Sequence, residues 1–203
     1  MKTWTLSAAL LAGAATLAAT PAPTMDMWNV DPAHTEIGFT AKHFFTPVKG
    51  TFRDFDVHLI YDPANPASSS VDVTVQVASV ETGNERRNTH LQSGDFFEAE
   101  RYPTITFKST AVRRVSDSQL IASGDLTIKG TTKRIELPIT VLGIQQIPSE
   151  MQEMLGGAKQ IASFSAGTTL DRGDFGVGTG SWAATLVVGG EIQIDIALEA
   201  NLK

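Results

Sequence analysis

EIQIDIALE, residues Glu191 to Glu199, alternates without a fault: Ile192, Ile194, Ile196 and Leu198 fall on one side of an extended chain, and Glu191, Gln193, Asp195 and Glu199 on the other. Successive side chains of a strand point to opposite faces, so this segment reads as a strand with one buried and one wet face. The same period recurs toward the N-terminus. Leu126 and Ile128 oppose Asp125, Thr127 and Lys129; Gly130, Thr131 and Thr132 make a turn, and Ile135, Leu137, Ile139 and Val141 share a face beyond it. Ile105, Phe107 and Ala111 oppose Thr104, Thr106 and Lys108, and Val71, Val73, Val75 and Val77 oppose Asp72, Thr74 and Gln76. Ile37, Phe39 and Ala41 oppose Glu36, Thr40 and Lys42. Short, half-apolar strands joined by turns predict an all-β fold, an antiparallel sandwich or barrel. An outer-membrane barrel needs an apolar outer band and a polar lumen, and these polar faces give the reverse pattern, that of a barrel in water.

One segment breaks the period. Asn84 to Gln92 reads as a short helix with Asn84 as its N-cap and Glu85 in its first turn, placing Arg87, His90 and Leu91 on one side. Pro148 to Gln160, with its Met and Gly residues, reads as a long loop with one helical turn. At the start, Lys2, the small-apolar run Leu6 to Ala19 and the Pro21 and Pro23 that end it have the form of a secretory signal peptide, taken as residues 1–24. The remainder, 25–203, is expected to be one domain. Export to the periplasm or beyond follows from the leader alone, because a chain with 0 Cys carries neither a lipobox nor a disulfide framework. A formal net charge of -6 with dispersed basic residues argues against a nucleic-acid partner.

The stretch with most chemistry is Gly83 to Thr110, where Arg86, Arg87, His90, Ser93 and Asp95 precede Phe96 and Phe97. A Ser-His-Asp triad requires a base aimed at a hydroxyl and held by a carboxylate, which residues within six positions of one short helix cannot readily arrange. No catalytic residue is assigned; Ser93 and Asp95 suit the tying of a turn. The 4 His lack metal-ligand spacing, so no metal is assigned either, and His58 shares a solvent face with Asp54 and Asp56. With 10 Phe against 2 Tyr and 3 Trp, the interior is expected to be dry. His43 ends the first strand in inward phase, and Arg87 and His90 lie on a helix that could cover one end. These three are the candidate polar rim, with backbone hydrogen bonding as the alternative role.

Taken together, Trp28-x-Val30-Asp31-Pro32-x-His34, Phe39-x-x-Lys42-His43, Gly50-x-Phe52, Glu81-Thr82-Gly83-Asn84 with Arg87, His90-Leu91-x-Ser93-x-Asp95-Phe96-Phe97, Tyr102-Pro103-x-Ile105-x-Phe107, Gly124 to Gly130 and Arg172-x-Asp174-Phe175-Gly176 resemble the YceI-like family of polyisoprenoid-binding proteins. The sequence departs from that pattern at Asn88-Thr89, where the family carries an acidic residue after the arginine, and at Met151 to Lys159, which has the form of an insertion. The resemblance implies a single lipocalin-like antiparallel barrel of about eight strands that is usually exported and holds an isoprenoid chain of the polyprenyl-phosphate or quinone type.

With the resemblance, the alternation of Phe with Ala and Val on inward faces favours a cavity over a packed barrel. Its expected lining is Ile37, Phe39, Ala41, Ile105, Phe107 and Ala111, with Phe175 from the family pattern. The expected function is non-covalent binding, transport or storage of that lipid, without a cofactor. The alternative is a quinone-linked redox accessory or an enzyme acting on the bound isoprenoid. Transient membrane contact and a homodimer are both left open by the sequence.

Overall fold

The structure, a computed structural model, describes residues 27–203; the leader read at residues 1–24 lies outside them. Each alternating segment forms a strand: β1 (Met27–Val30), β2 (Glu36–His43), β3 (Thr46–Phe52), β4 (Phe55–Ile60), β5 (Ser70–Gln76), β6 (Val80–Glu81), β7 (Thr104–Arg114), β8 (Gln119–Ile128), β9 (Thr131–Gln146), β10 (Gln160–Asp171) and β11 (Glu191–Leu202). All pair antiparallel. The ring runs β1-β4-β5-β7-β8-β9-β10-β11 and returns to β1, while β2, β3 and β6 continue from β11.

This is an eight-stave barrel in which three staves are broken. β1 and β2 lie along consecutive parts of β11, with Val30 opposite Ala200 and Glu36 opposite Ala197. Between them Asp31 and a 3-10 turn, Pro32–His34, interrupt the ladder. The cause is local: Pro32 has no N–H to give a ladder, and the Asp31 carboxylate accepts the Ala33 N–H at 2.9 Å, closing a turn instead. β3 and β4 are separated by Arg53 and Asp54, and β5 and β6 by a 3-10 turn, Val77–Ser79.

The helix α1 (Glu85–Gln92) begins where the sequence places it, with the Asn84 side chain accepting the Arg87 N–H at 3.1 Å. It follows β6, which pairs with β3, and its Leu91 packs against the barrel interior. A second short helix, α2 (Ser149–Gln152), lies within the segment read as a loop with one turn. The β8–β9 turn is tighter than the sequence suggests: Lys129 and Gly130 both have positive φ, 49° and 74°, giving a two-residue hairpin with the strand resuming at Thr131.

The end of the barrel away from α1 is the more closely packed one. Trp28, Tyr61 and Phe164 occupy most of it and leave a smaller cavity beside Tyr61 and Phe164; these two rings meet edge to face with centroids 5.1 Å apart, and the Trp28 indole donates to the Tyr61 carbonyl at 2.9 Å.

One inward assignment is corrected here. β7 carries a bulge: Ser109 pairs with Gly124 and Ala111 with Ser123, leaving Thr110 as the extra residue. One inserted residue inverts the phase of everything beyond it, so Ala111 is exposed and Val112 is buried in its place. The bulge is fastened by the Ser109 hydroxyl, which accepts the Val71 N–H at 2.9 Å. Ala111→Phe should therefore leave stability within about 0.5 kcal/mol of wild type, whereas Val112→Ala should cost about 1–3 kcal/mol. Urea unfolding of the two variants distinguishes this register from an unbroken alternation.

Candidate ligand cavity

The α1 end of the barrel is hollow. A cavity of about 190 Å³ is walled by alternate residues of the staves: Ile37, Phe39 and Ala41 from β2, Val73 and Val75 from β5, Ile105 and Phe107 from β7, Leu126 and Ile128 from β8, and Ile192, Ile194 and Ile196 from β11. Leu91, Phe96 and Phe97 close it from the helix side, and Phe175, Val177 and Val188 from the loop after β10. Of the residues expected from the sequence, Ile37, Phe39, Ala41, Ile105, Phe107 and Phe175 converge on this space, and Ala111 does not. The polar side chains among the lining residues are Thr168 and Arg172.

The phenylalanines do not plug the lumen because two glycines let them lie along the wall. A Cβ on Gly50, the cross-strand partner of Phe39, would stand 2.7 Å from Phe39 Cε1; one on Gly124 would stand 2.5 Å from Phe107 Cζ. Each ring occupies the room that a side chain on the neighbouring strand would take. Glycine inside a strand commonly marks such a close approach.

Arg172 organises the loop over the mouth. It is buried at the start of a 3-10 turn, Arg172–Phe175, that Asp171 caps by accepting the Gly173 N–H at 2.7 Å. Its Nε donates to Gly189 O at 3.0 Å, Nη1 to Val177 O at 2.8 Å, and Nη2 to Trp182 O at 2.8 Å and Val188 O at 2.9 Å. Burial lowers its pKa, and the Asp171 charge opposes that shift. The guanidinium is thus held by main-chain carbonyls, the arrangement its rigid fork of donors suits.

The three candidate rim residues face elsewhere. Arg87 donates from Nε to Thr82 Oγ1 at 2.8 Å and from Nη2 to Thr82 O at 2.7 Å. That hydroxyl passes the bond on to Asn88 Oδ1 at 2.7 Å, so Arg87 braces the β6–α1 connection. Buried Asn88 also accepts the Thr82 N–H and donates to Glu81 Oε1 at 3.1 Å. An amide suits this site because it does both; a carboxylate could not donate and would face the Glu81 charge. His90 pairs through Nε2 with Asp95 Oδ2 at 2.9 Å, and its ring meets Phe96 and Trp182 edge-on, each at 5.0 Å. It clasps the helix to the loop. His43 is exposed and edge-on to Phe44 at 4.9 Å. It ends its strand at the mouth, bridging Val188 of the cavity wall, and is not itself among the residues that line the chamber.

The Ser93 hydroxyl donates to the His90 carbonyl at 2.7 Å and not to the imidazole, so Ser93, His90 and Asp95 make no triad. Sequence spacing also could not show that barrel closure gathers Asp31, His34 and Glu199. Asp31 Oδ2 meets His34 Nδ1 at 2.9 Å and Glu199 Oε1 lies 3.8 Å from the same nitrogen, clipping the break in the first stave to β11. His58 pairs with Asp56 at 3.0 Å, both exposed.

A family model described as the YceI-like domain matches residues 28–200. The chain belongs to the YceI-like family. A UPF0312 protein of Vibrio cholerae is 40% identical over 146 residues, which span 71% of this chain and 73% of that protein. Among solved structures, Burkholderia cenocepacia BcnA superposes with a TM-score of 0.75 at 31% identity, covering 85% of this chain and 99% of BcnA. A polyisoprenoid binding domain from Saccharophagus degradans shares the fold at 12% identity, with a TM-score of 0.64 over 89% of this chain and 100% of that domain. The YceI-like barrel is thus the frame within which the cavity and its arginine-held loop are built.

Arg172→Met removes the donors while keeping similar bulk. It should cost about 2–4 kcal/mol in chemical denaturation, with Arg172→Lys restoring only part, because a point charge cannot span the same carbonyls. Hydrogen exchange of the 177–189 amides should accelerate in both variants.

The Asp31–His34 hydrogen bond sets a pH window: it holds Asp31 below its ordinary 3.8 and lifts His34 above its ordinary 6.5. The histidine contribution is whole below 6.5 and is lost as pH rises through the raised value; the aspartate contribution is whole above 3.8 and is lost as pH falls through the lowered one. Stability measured between about pH 6 and pH 8.5 should therefore fall more in wild type than in His34→Asn.

Proposed function

We propose that this protein binds a long isoprenoid lipid of the polyprenyl-phosphate or quinone type, or an amphipath of similar shape, inside the barrel and carries or stores it unchanged. The observation that carries this reading is the lining itself: a cavity of about 190 Å³ walled by hydrocarbon, with Arg172 as its charged residue, at the end closed by loop and helix rather than by strand packing. Membership of the YceI-like family and the fold shared with a polyisoprenoid binding domain support the ligand class.

Size constrains how such a ligand sits. An apolar cavity of about 150 Å³ accepts a benzene-sized molecule, so the main chamber as it stands takes about one isoprene unit. A second cavity of about 80 Å³ lies deeper and shares Val73, Leu137 and Ile196 with the first. A longer tail enters by way of those three side chains and widens the lumen as it goes. Each buried methylene contributes about 0.8 kcal/mol toward that widening and toward affinity. At the mouth, the positive field of Arg172 favours a phosphate or carbonyl oxygen, while His43, Arg87 and His90 shape the surroundings of the opening. Among the described residues that line the main chamber there is no carboxylate, histidine or serine, which favours binding over turnover. The basic start and apolar run of residues 1–24 support export, and with it a ligand met outside the cytoplasm.

Organic extraction of the purified protein followed by mass spectrometry tests the reading. Wild type should yield a long-chain amphipath, or take one up from added polyprenyl phosphate or quinone and return it chemically unchanged. Ala41→Phe, which fills the chamber, should retain several-fold less while staying folded, at a cost of about 1–3 kcal/mol. An empty wild-type protein that takes up neither lipid, or conversion of the lipid to a new species, would overturn it.

A further inference from the structure

The β2–β3 hairpin turns through Phe44 and Phe45, between His43 and Thr46, which pair with each other. Two-residue hairpin turns with positive φ favour Gly, Asn or Asp, yet here Phe44 stands at φ 53°. A bulky side chain enters that region only at a cost, and strain of this kind collects at functional positions. Folding recovers little for it. Phe45 is 95% exposed and Phe44 51% exposed. The facing loop adds Leu186, 77% exposed, next to Val187, whose carbonyl accepts the Phe44 N–H at 2.8 Å. These three apolar side chains stand at the cavity mouth, since Ala41 of the hairpin and Val188 of the loop both line it.

We infer that this tip docks the protein on a lipid bilayer bearing anionic headgroups, with Phe44, Phe45 and Leu186 entering the headgroup boundary. A protruding tip of three side chains is the wrong shape for a stable protein interface, which needs a broad complementary face of roughly 1,000 Å² or more. It is suited to shallow insertion at a membrane surface. The charge pattern agrees. From Ile37 to Arg53 there is no carboxylate, while Lys42 and Lys49 are exposed, on a chain of formal net charge -6. Ser181 to Gly190 carries no charged side chain, and the nearest acids by sequence are Glu191, at the start of β11, and Asp174, whose carboxylate pairs with Lys133 at 2.8 Å. Among the described residues no helix is long and apolar enough to cross a membrane, so the contact is peripheral. Docking there sets the mouth against the bilayer, whatever the cavity holds.

Vesicle flotation tests this with lipids that contain no isoprenoid, so its outcome is independent of the cavity's ligand. Wild type should float with phosphatidylcholine vesicles containing phosphatidylglycerol and less with phosphatidylcholine alone. Phe45→Ser combined with Leu186→Ser should lower the bound fraction about tenfold or more, with an unchanged circular dichroism spectrum because both side chains are exposed. Phe44→Gly should bind vesicles more weakly yet melt at a higher temperature, since it relieves the turn. Phe45→Trp should emit at shorter wavelength on vesicles and be quenched by brominated acyl chains. Wild type that floats with neither vesicle, or a double variant that floats as well as wild type, would overturn the proposal. So would a double variant whose only change is a smaller sedimentation coefficient, which would assign the tip to a second copy of the chain.

Discussion

A ring of eight staves closes because β11 finds two partners along one edge, Asn201 and Ala200 against β1 and Ala197 back to Gln193 against β2. Without that double pairing, β1, β2 and β11 would present unpaired edges, and the hydrocarbon faces of the sheet would have to meet by flattening together. With it, every inward side chain is committed to one enclosed space. The break at Asp31-Pro32 is what allows a single strand to be shared, and the Asp31, His34 and Glu199 clip stands at the point where the chain changes direction.

The enclosed space is then divided between packing and room. At one end Trp28, Tyr61 and Phe164 supply the bulk, with Ala122, Ala162 and Ala200 accommodating them. At the other, aromatic rings of similar size lie down over Gly50 and Gly124, and the volume they leave is hydrocarbon-lined. A void of that kind offers water few hydrogen-bond partners, since the polar side chains on its wall are Thr168 and Arg172 and the Arg172 guanidinium is engaged by main-chain carbonyls. Its polar neighbours are spoken for: Arg87 by Thr82, His90 by Asp95, Ser93 by a main-chain carbonyl. The residues from Asn84 to Asp95 therefore form a polar cover over the apolar chamber, their side chains engaged with neighbouring side chains and main chain.

Strand positions and the helix cap were legible because period and capping chemistry are local: Ile192 to Leu198 and Asn84 announce themselves within a few residues. The cavity wall followed wherever the period ran unbroken, as for Ile37, Phe39 and Ala41. The alternation places Ala111 inward because a bulge leaves no mark in the residues that form it; the bond that fastens it joins Ser109 to Val71, thirty-eight positions apart. His43, Arg87 and His90 were placed near the opening, but the partners of a long polar side chain are chosen by tertiary neighbours such as Thr82 and Trp182. Gly50 and Gly124 did carry a signal, glycine within a strand, although reading it requires knowing which ring leans across. Arg172 was visible as part of a family pattern, and its role rests on carbonyls up to seventeen residues away.

Those carbonyls have a consequence for how the mouth can diverge. A guanidinium that grips only main chain is indifferent to what Val177 to Gly189 carry as side chains, so the anchor survives substitutions across most of the loop. Gly178 is the exception, since at φ 86° a Cβ would collide with the Arg172 guanidinium. Substitutions in that stretch can therefore rewrite the greasiness and charge of the surface around the opening without loosening the anchor that pins the loop to the barrel.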